Sequence, residues 1–184
     1  CLLSRGLGDV YKRQRMYNIA EQLGVTAYNV FVWSPNSVSM PGTEANAMKN
    51  YYPGDMYVDW LGVSCYPPSL SATYPEERRY PLTLMQGIKQ VSADKPIMIG
   101  EGGYSSTCDH QRWVREWFKL KDEEPRVKAV VWENHENAEN GDRRLQSDPL
   151  ALELYKELVQ DPYWLDLIPD AVYSEIETRK NNSK

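Results

Sequence analysis

The residues best placed to do chemistry lie in the stretch 95–103, which reads Lys-Pro-Ile-Met-Ile-Gly-Glu-Gly-Gly. Its apolar run has the length of a strand buried on both faces, as in parallel sheets. Glu101 falls where that strand must end, and a carboxylate there is either solvated at the rim or part of a site. Gly102 and Gly103 leave room for a ligand or another backbone to approach closely. Spacing alone leaves both interpretations open.

Other catalytic patterns are weak. His110 and His135 are the only histidines, and neither has a second ligand at metal spacing, so we predict no metal site and no cofactor. The chain has no Gly-x-Ser-x-Gly motif, which argues against serine-hydrolase chemistry of that type.

Composition narrows the classes of protein to consider. The 184 residues are 41% hydrophobic and 26% charged, which is ordinary for one globular domain. The net charge of −5 does not favour nucleic-acid binding, and no apolar run reaches the roughly 20 residues that span a bilayer. Aromatic usage is uneven, with 13 Tyr and 6 Trp against 2 Phe, which suits wet clefts for hydroxyl-rich ligands as well as half-buried packing.

Strand and helix patterns alternate along the chain. Strands are predicted at 29–33, 57–66, 95–101 and 127–132. Helices are predicted at 15–24, 43–50 and 81–91, after a cap at either Ser106 or Asp109, and after Asp148-Pro149. A strand every 30 to 40 residues is typical of βα units in a parallel α/β fold.

Two architectures fit this alternation, an open doubly wound sheet and part of an eight-stranded barrel. No Gly-x-Gly-x-x-Gly turn follows the first strand, as a nucleotide-binding open sheet would usually require. Polar and aromatic residues instead cluster at the carboxyl ends of several strands, as in barrel enzymes. They are Trp33, Asn36, Tyr66, Glu101, Trp132 and Glu133. The pattern favours the barrel.

Three regions are expected along the chain. Residues 1–14 have no clear helical or strand period and resemble a translated adaptor or vector sequence, so we interpret them as a non-native leader. Residues 15–170 form the partial barrel, and residues 171–184 are a polar carboxyl-terminal tail.

Four segments in order resemble a known family. They are Val32-Trp33-Ser34-Pro35-Asn36, Tyr51-Tyr52-Pro53-Gly54-Asp55, Tyr57-Val58-Asp59-Trp60-Leu61-Gly62-Val63, and the stretch 95–101. Together they resemble the second half of glycoside hydrolase family 26, the β-mannanase family of the large retaining-glycosidase clan. The resemblance implies an α/β fold that is the carboxyl-terminal half, strands five to eight, of a (β/α)8 TIM barrel.

The same resemblance implies roles for individual residues. Glu101 matches the nucleophile, and Tyr66 matches the tyrosine that orients it by a hydrogen bond. Trp33 and Trp132 match aromatic residues that line the sugar sites, with Asn36 beside Trp33 in the cleft. The implied partner is a polysaccharide such as β-mannan, and the implied location of the full-length protein is secreted or periplasmic.

The chain departs from the family beside the reactive centre. Residues 62–67 read Gly-Val-Ser-Cys-Tyr-Pro where the family commonly has Gly-Val-Asp-Gly-Tyr-Asn. Glu101-Gly102-Gly103 replaces the usual Glu-Phe-Gly. The choice of polysaccharide is therefore not carried over, and a neighbouring family of the same clan is an alternative.

The second catalytic carboxylate is expected to be absent. Retaining hydrolysis needs two carboxyl groups about 5 to 5.5 Å apart, and in this clan the acid/base glutamate ends strand four, upstream of the matching segments. Glu133 is a poor substitute for this acid/base residue if Trp132 faces the barrel mouth, because strand alternation then turns Glu133 away from the mouth. Glu136 lies in a polar loop, where a solvated role is expected. The chain by itself is therefore expected to be inactive, and a non-catalytic carbohydrate-binding protein remains the alternative from another class.

Apart from Cys1 in the interpreted leader, the chain has two cysteines: Cys65 near the end of one predicted strand and Cys108 after the next strand. A disulfide between them is conceivable in an extracellular enzyme, but two free thiols are the favoured prediction.

Overall fold

The computed structural model of the protein describes residues 2–68, 74–137, 141–164 and Ser174. Its centre is a parallel sheet in the order β1-β2-β3-β4, so each strand pairs with the next along the chain. The strands are β1 (Val32–Trp33), β2 (Trp60–Cys65), β3 (Ile97–Gly102) and β4 (Val127–Trp132). A two-stranded antiparallel ribbon follows, formed by β5 (Glu136–Asn137) and β6 (Gly141–Asp142). The fold is mixed α/β with a parallel sheet, as predicted.

Helices lie between β2 and β3 and between β3 and β4, as parallel pairing requires, and others precede β1 and follow the ribbon. They are α1 (Leu2–Gln22), α2 (Pro81–Leu84), α3 (Gln86–Lys89), α4 (His110–Glu123) and α5 (Pro149–Leu158). The predicted caps are confirmed: Asp109 accepts a hydrogen bond from the Arg112 amide, and Asp148 accepts from the Leu150 and Ala151 amides.

Two predicted helices differ in the structure. Residues 43–50 form two 3-10 turns, Glu44–Asn46 and Met48–Tyr51, because the intervening Ala47 is extended with ψ near 140°. The predicted helix over 81–91 is split at Met85 into α2 and α3.

The first helix begins at Leu2, so the expectation that residues 1–14 lack helical structure and that the helix begins near Arg15 is wrong. Gln14 donates a hydrogen bond from Nε2 to the Pro53 carbonyl oxygen at 2.9 Å, and Tyr17 packs against Phe31 and Tyr57. The helix therefore continues through the segment interpreted as a leader. The non-native origin of that segment stays a prediction.

One face of the sheet is covered by helices and forms the core. Ile97 and Ile99 of β3 point to this side and are fully buried, as are Trp113 and Trp117 of α4. Gly102 also faces α4, because a Cβ there would lie 2.6 Å from the Trp117 ring. The close approach permitted by this glycine is therefore made by a helix side chain and not by a ligand.

The opposite, open face of β3 is not fully buried. Met98 and Gly100 are half-buried and Glu101 is exposed, so the expectation of a strand buried on both faces is wrong for β3. Among the described residues, no helix combines the length and apolar character needed to cross a bilayer. The predicted tail, 171–184, lies outside the described residues except for Ser174.

Candidate active site

A β-bulge brings Glu101 to the open face of the sheet. Ile97 and Ile99 face the helices, so strict alternation would send Glu101 to the same side. The register between β2 and β3 shifts instead: Val63 pairs with Ile99, but Ser64 pairs with Glu101, which leaves Gly100 as an extra residue. Such a bulge re-aims the following side chain. Glu101 therefore points away from the core and Gly102 points into it.

On the open face, the side chain of Glu101 is hydrogen-bonded to that of Ser64. The Ser64 hydroxyl donates to Glu101 Oε1 at 2.8 Å. The backbone of Ser64 also forms a parallel bridge with Asn36, which extends the edge of β1 alongside β2. The ends of three neighbouring strands thus bring Asn36, Ser64 and Glu101 together.

Tyr66 lies next to this group, with the guanidinium of Arg143 over its ring at 4.3 Å. Burial, the interaction of its hydroxyl with the Glu133 carboxylate and the charge of Glu101 raise the pKa of Tyr66, while Arg143 opposes the increase. The Tyr66 hydroxyl therefore stays protonated near neutral pH and remains a hydrogen-bond donor. The side chain that donates directly to Glu101 is Ser64.

Glu133 is held in an ionic cluster beside Tyr66. Its Oε2 lies 2.7 Å from Arg143 Nη1, and its Oε1 lies 3.1 Å from His135 Nδ1. The Arg143 side chain is only 7% exposed, so this ion pair is largely shielded from water. Alternation is expected to turn Glu133 away only if Trp132 faces the barrel mouth, and that condition is not met, because Trp132 faces the helices.

Trp132 packs edge-on against aromatic residues of the helical layer. Its ring centroid lies 5.1 Å from Tyr104, 5.4 Å from Trp117 and 5.8 Å from Tyr155. Its Nε1 donates to the Arg143 carbonyl oxygen at 2.9 Å. The indole is half-buried in this cluster, and its role in lining a sugar site stays a prediction.

Trp33 is placed differently from the prediction. It is 3% exposed and packs against Tyr52, with ring centroids 5.1 Å apart. Val32 and Ser34 contact the open face at Gly62, so alternation turns Trp33 toward the core. The predicted sugar platform at Trp33 is therefore wrong, because the buried indole cannot contact a substrate in this position.

A cavity of about 380 Å³ opens beside the candidate nucleophile. Asn36, Ser64 and Tyr66 supply its polar wall, and Asn36 is exposed to solvent. The remaining wall is mostly apolar and consists of Ser37, Val38, Met40, Pro67, Pro68 and Tyr74. Of the predicted site residues, Asn36 and Tyr66 line this cavity, and Glu101 is linked to its wall by the hydrogen bond from Ser64. Trp33 and Trp132 pack on the helix-covered side instead.

Sequence reasoning missed two residues of this site. Ser64 lies two positions before Tyr66 on β2, so period-2 alternation could have placed both on one face. Arg143 follows the short β5–β6 ribbon, and no local pattern links it to Tyr66 or Glu133.

Outside this cluster, the histidine and cysteine side chains give no sign of a second site. His110 Nδ1 lies 2.9 Å from Asp148 Oδ2, and Cys65 and Cys108 are free thiols, as predicted. Burial raises the pKa of the Cys65 thiol, which keeps it protonated and unreactive. Within the described residues, no three His, Cys, Asp or Glu side chains are placed to hold a metal ion.

Comparison with known proteins gives one sequence relative and several structural ones. The chain is 29% identical over 159 residues to Endoglucanase H of Acetivibrio thermocellus, covering 84% of this chain and 16% of that protein. No family model matches the chain.

Two solved structures share the fold. GH26A from Muricauda sp. MAR_2010_75 superposes with a TM-score of 0.52 and 18% identity, over 85% of this chain and 42% of that one. A double mutant of the Cellulomonas fimi endo-beta-1,4-mannanase superposes with a TM-score of 0.50 and 18% identity, over 83% of this chain and 36% of that one. The chain spans less than half the length of each of these three proteins. The superposition on GH26A shows that this chain has a fold like that of glycoside hydrolase family 26.

Proposed function

We propose that the chain is part of a retaining endo-β-glycanase that hydrolyses β-mannan or a related β-linked polysaccharide, with Glu101 as its nucleophile. In this proposal the four parallel strands correspond to strands five to eight of a (β/α)8 barrel. The acid/base carboxylate belongs to strand four, outside residues 1–184, and the complete enzyme works outside the cytoplasm. The relatives, an endoglucanase and an endo-mannanase by name, support a β-glycan as the substrate.

One observation carries the proposal. The bulge after Ile99 directs Glu101 to the open face at the carboxyl end of β3, beside a cavity of about 380 Å³ lined by Asn36 and Tyr66. Functional residues of barrel enzymes occupy this end of the strands. A carboxylate needed only for solubility would not require an extra residue in the strand to reach that face.

The chemistry assigned to these residues has two steps. Glu101 Oε2 attacks the anomeric carbon while the bond to the leaving oxygen breaks, and the acid/base carboxylate protonates that oxygen. Water, deprotonated by the same carboxylate, then attacks the glycosyl ester and releases Glu101. Tyr66, whose hydroxyl stays protonated near neutral pH, is assigned to helping orient Glu101, as the resemblance implies.

Glu133 is not the acid in this proposal. Its carboxylate oxygens lie 2.7 Å from Arg143 Nη1 and 3.1 Å from His135 Nδ1, so both are engaged with other side chains. A general acid must instead come within hydrogen-bond reach of the leaving oxygen. The conclusion that Glu133 is a poor acid agrees with the sequence analysis, but the reason is the ion pair and not the direction of the side chain.

The test uses a glycoside that needs no acid. We expect 2,4-dinitrophenyl 2-deoxy-2-fluoro-β-mannoside or its glucose analogue to form a stable ester at Glu101, detected as a mass increase on the Glu101 peptide. Glu101→Gln should abolish the label. Glu133→Gln should not abolish it, since Glu133 is assigned no covalent role.

The same reagent is applied to the chain co-expressed with strands one to four of a family 26 enzyme. Label on another carboxylate would overturn the proposal. Sugar binding without a covalent label in either preparation would favour a carbohydrate-binding protein instead. On β-mannan, we expect turnover only in the co-expressed preparation, because protonation of an unactivated leaving group requires the missing carboxylate. Robust turnover by residues 1–184 alone would contradict that assignment.

A further inference from the structure

Ser64 is the one side chain in the described structure that donates a hydrogen bond directly to Glu101. The Ser64 hydroxyl lies 2.8 Å from Glu101 Oε1, and Glu101 is otherwise exposed. An exposed glutamate side chain has several rotamers of similar energy. A single charge-assisted hydrogen bond at this distance favours the rotamer that brings the carboxylate next to Ser64.

Ser64 is itself held rigidly on both sides. Its backbone amide donates to the Pro35 carbonyl oxygen at 3.0 Å, and its carbonyl oxygen accepts from the Ser37 amide at 3.0 Å. Across the other edge of β2 it is in register with Glu101. The residue is 8% exposed, so its hydroxyl has little freedom to turn to water.

Tyr66 has other interactions in this structure. Its ring lies under the guanidinium of Arg143, 4.3 Å away, and Arg143 is paired with Glu133 at 2.7 Å. The hydrogen bond to the candidate nucleophile therefore comes from Ser64, which lies in β2 two positions before Tyr66. Neither composition nor the stretch 95–103 indicates this arrangement.

We infer that Ser64 is the residue that positions Glu101 for attack, an inference that rests on the proposed function. The Ser64 hydroxyl donates its hydrogen bond to Glu101 Oε1, which leaves Oε2 available as the nucleophile. Oε2 forms the bond to the anomeric carbon as the leaving group departs with its electron pair. In the resulting ester, Oε1 is the carbonyl oxygen and still accepts the same hydrogen bond. Ser64 acts through Glu101 and need not touch the sugar.

The test compares Ser64→Ala, which removes the hydroxyl, with Ser64→Thr, which keeps it. Ser34→Ala is the matched control, because Ser34 also lies on the open face, where its hydroxyl is 3.3 Å from the position a Cβ of Gly100 would take. The first measurement is ¹³C relaxation of the Glu101 side-chain methylenes in the full chain. We expect lower order in Ser64→Ala, and order close to that of the unaltered chain in Ser64→Thr and Ser34→Ala.

The second measurement is the rate at which the 2-fluoro glycoside labels Glu101. We expect a loss of about tenfold or more for Ser64→Ala, typical of losing a hydrogen bond to a charged group, and recovery in Ser64→Thr. Unchanged methylene order in Ser64→Ala would overturn the positioning role, whatever the labelling result. Absence of label in the unaltered chain would instead count against the proposed function, so the two failures are distinguishable.

Discussion

The two faces of the four-stranded sheet use similar residue types for different purposes. On the helix-covered face, Trp33, Trp117 and Trp132 pack among other aromatic rings, and two of the three are almost completely buried. On the open face, hydroxyl and carboxylate groups interact beside a cavity. The difference teaches that a tryptophan at the end of a strand is not by itself evidence of a sugar site, since one step of alternation assigns it to the core.

The largest effect is expected from Trp117 on the helix-covered face. Trp117→Ala should lower the free energy of unfolding by about 3–5 kcal/mol, because it leaves a cavity under Gly102 and beside Trp132. Urea unfolding followed by circular dichroism measures this. Trp117→Phe is the control that keeps most of the ring volume and should cost far less. If Trp117→Ala lowered the free energy of unfolding by less than about 1 kcal/mol, the helix-covered face of the sheet would not be the stabilising core that the comparison assumes.

The next effect concerns the ion pair on the site side of the sheet. Arg143→Met should lower the free energy of unfolding by about 2 kcal/mol, because it leaves the Glu133 carboxylate partly buried without its strongest partner. Adding Glu133→Gln in the same chain should restore part of that loss, since no unpaired charge remains. A double variant no more stable than Arg143→Met would show that packing on Tyr66, and not charge pairing, is the main contribution.

A smaller effect on stability is expected from Asp148, which caps α5 and lies on neither face of the sheet. Its hydrogen bonds to the Ala151 amide and to His110 hold the pKa of this carboxyl below its usual value, against the effect of burial. The folded chain therefore takes up the Asp148 proton at lower pH than the unfolded chain does. Its stabilisation is present above the unfolded-state value of about 3.9 and is lost as the pH falls through the lower folded-state value.

Asp148→Asn isolates this term, because asparagine can still cap the helix. We expect a loss of about 1 kcal/mol at pH 7 that shrinks as the pH approaches 3, measured by urea unfolding of both chains at each pH. A difference that stays constant with pH would show that the charge of Asp148 contributes nothing.

The smallest effect on stability is expected at Glu101 itself. Glu101→Gln should change the free energy of unfolding by no more than about 0.5 kcal/mol, because the side chain is exposed and the amide oxygen can still accept from Ser64. The same substitution is expected to abolish covalent labelling. A stability loss above about 1.5 kcal/mol would mean that Glu101 is a structural residue, which would weaken the case for a catalytic one.

Much of the fold could be predicted because it depends on local patterns. The sequence predicts strand β4 at its observed bounds, Val127–Trp132, and a helix cap at Asp148. For α4 it offers Ser106 or Asp109 as the cap, and the structure uses Asp109. The helical stripe of α4 is buried as its period indicates. The spacing of Met16, Ile19, Ala20 and Leu23 also predicts an apolar face on α1. All of these except Ala20 are exposed in the structure, because period alone does not say whether another element covers the face.

The sequence by itself determined that parallel strands alternate with helices and that Glu101 stands at the carboxyl end of one of them. Only the tertiary structure decided which way the side chains point there. The register shift at Gly100 turns Glu101 to the open face, and alternation turns Trp33 into the core. Register is a property of two paired strands, so it cannot be read from either strand alone. The same holds for the contacts of Ser64, Tyr66, Glu133 and Arg143, which come from separate parts of the chain and meet only where the sheet and its loops are assembled.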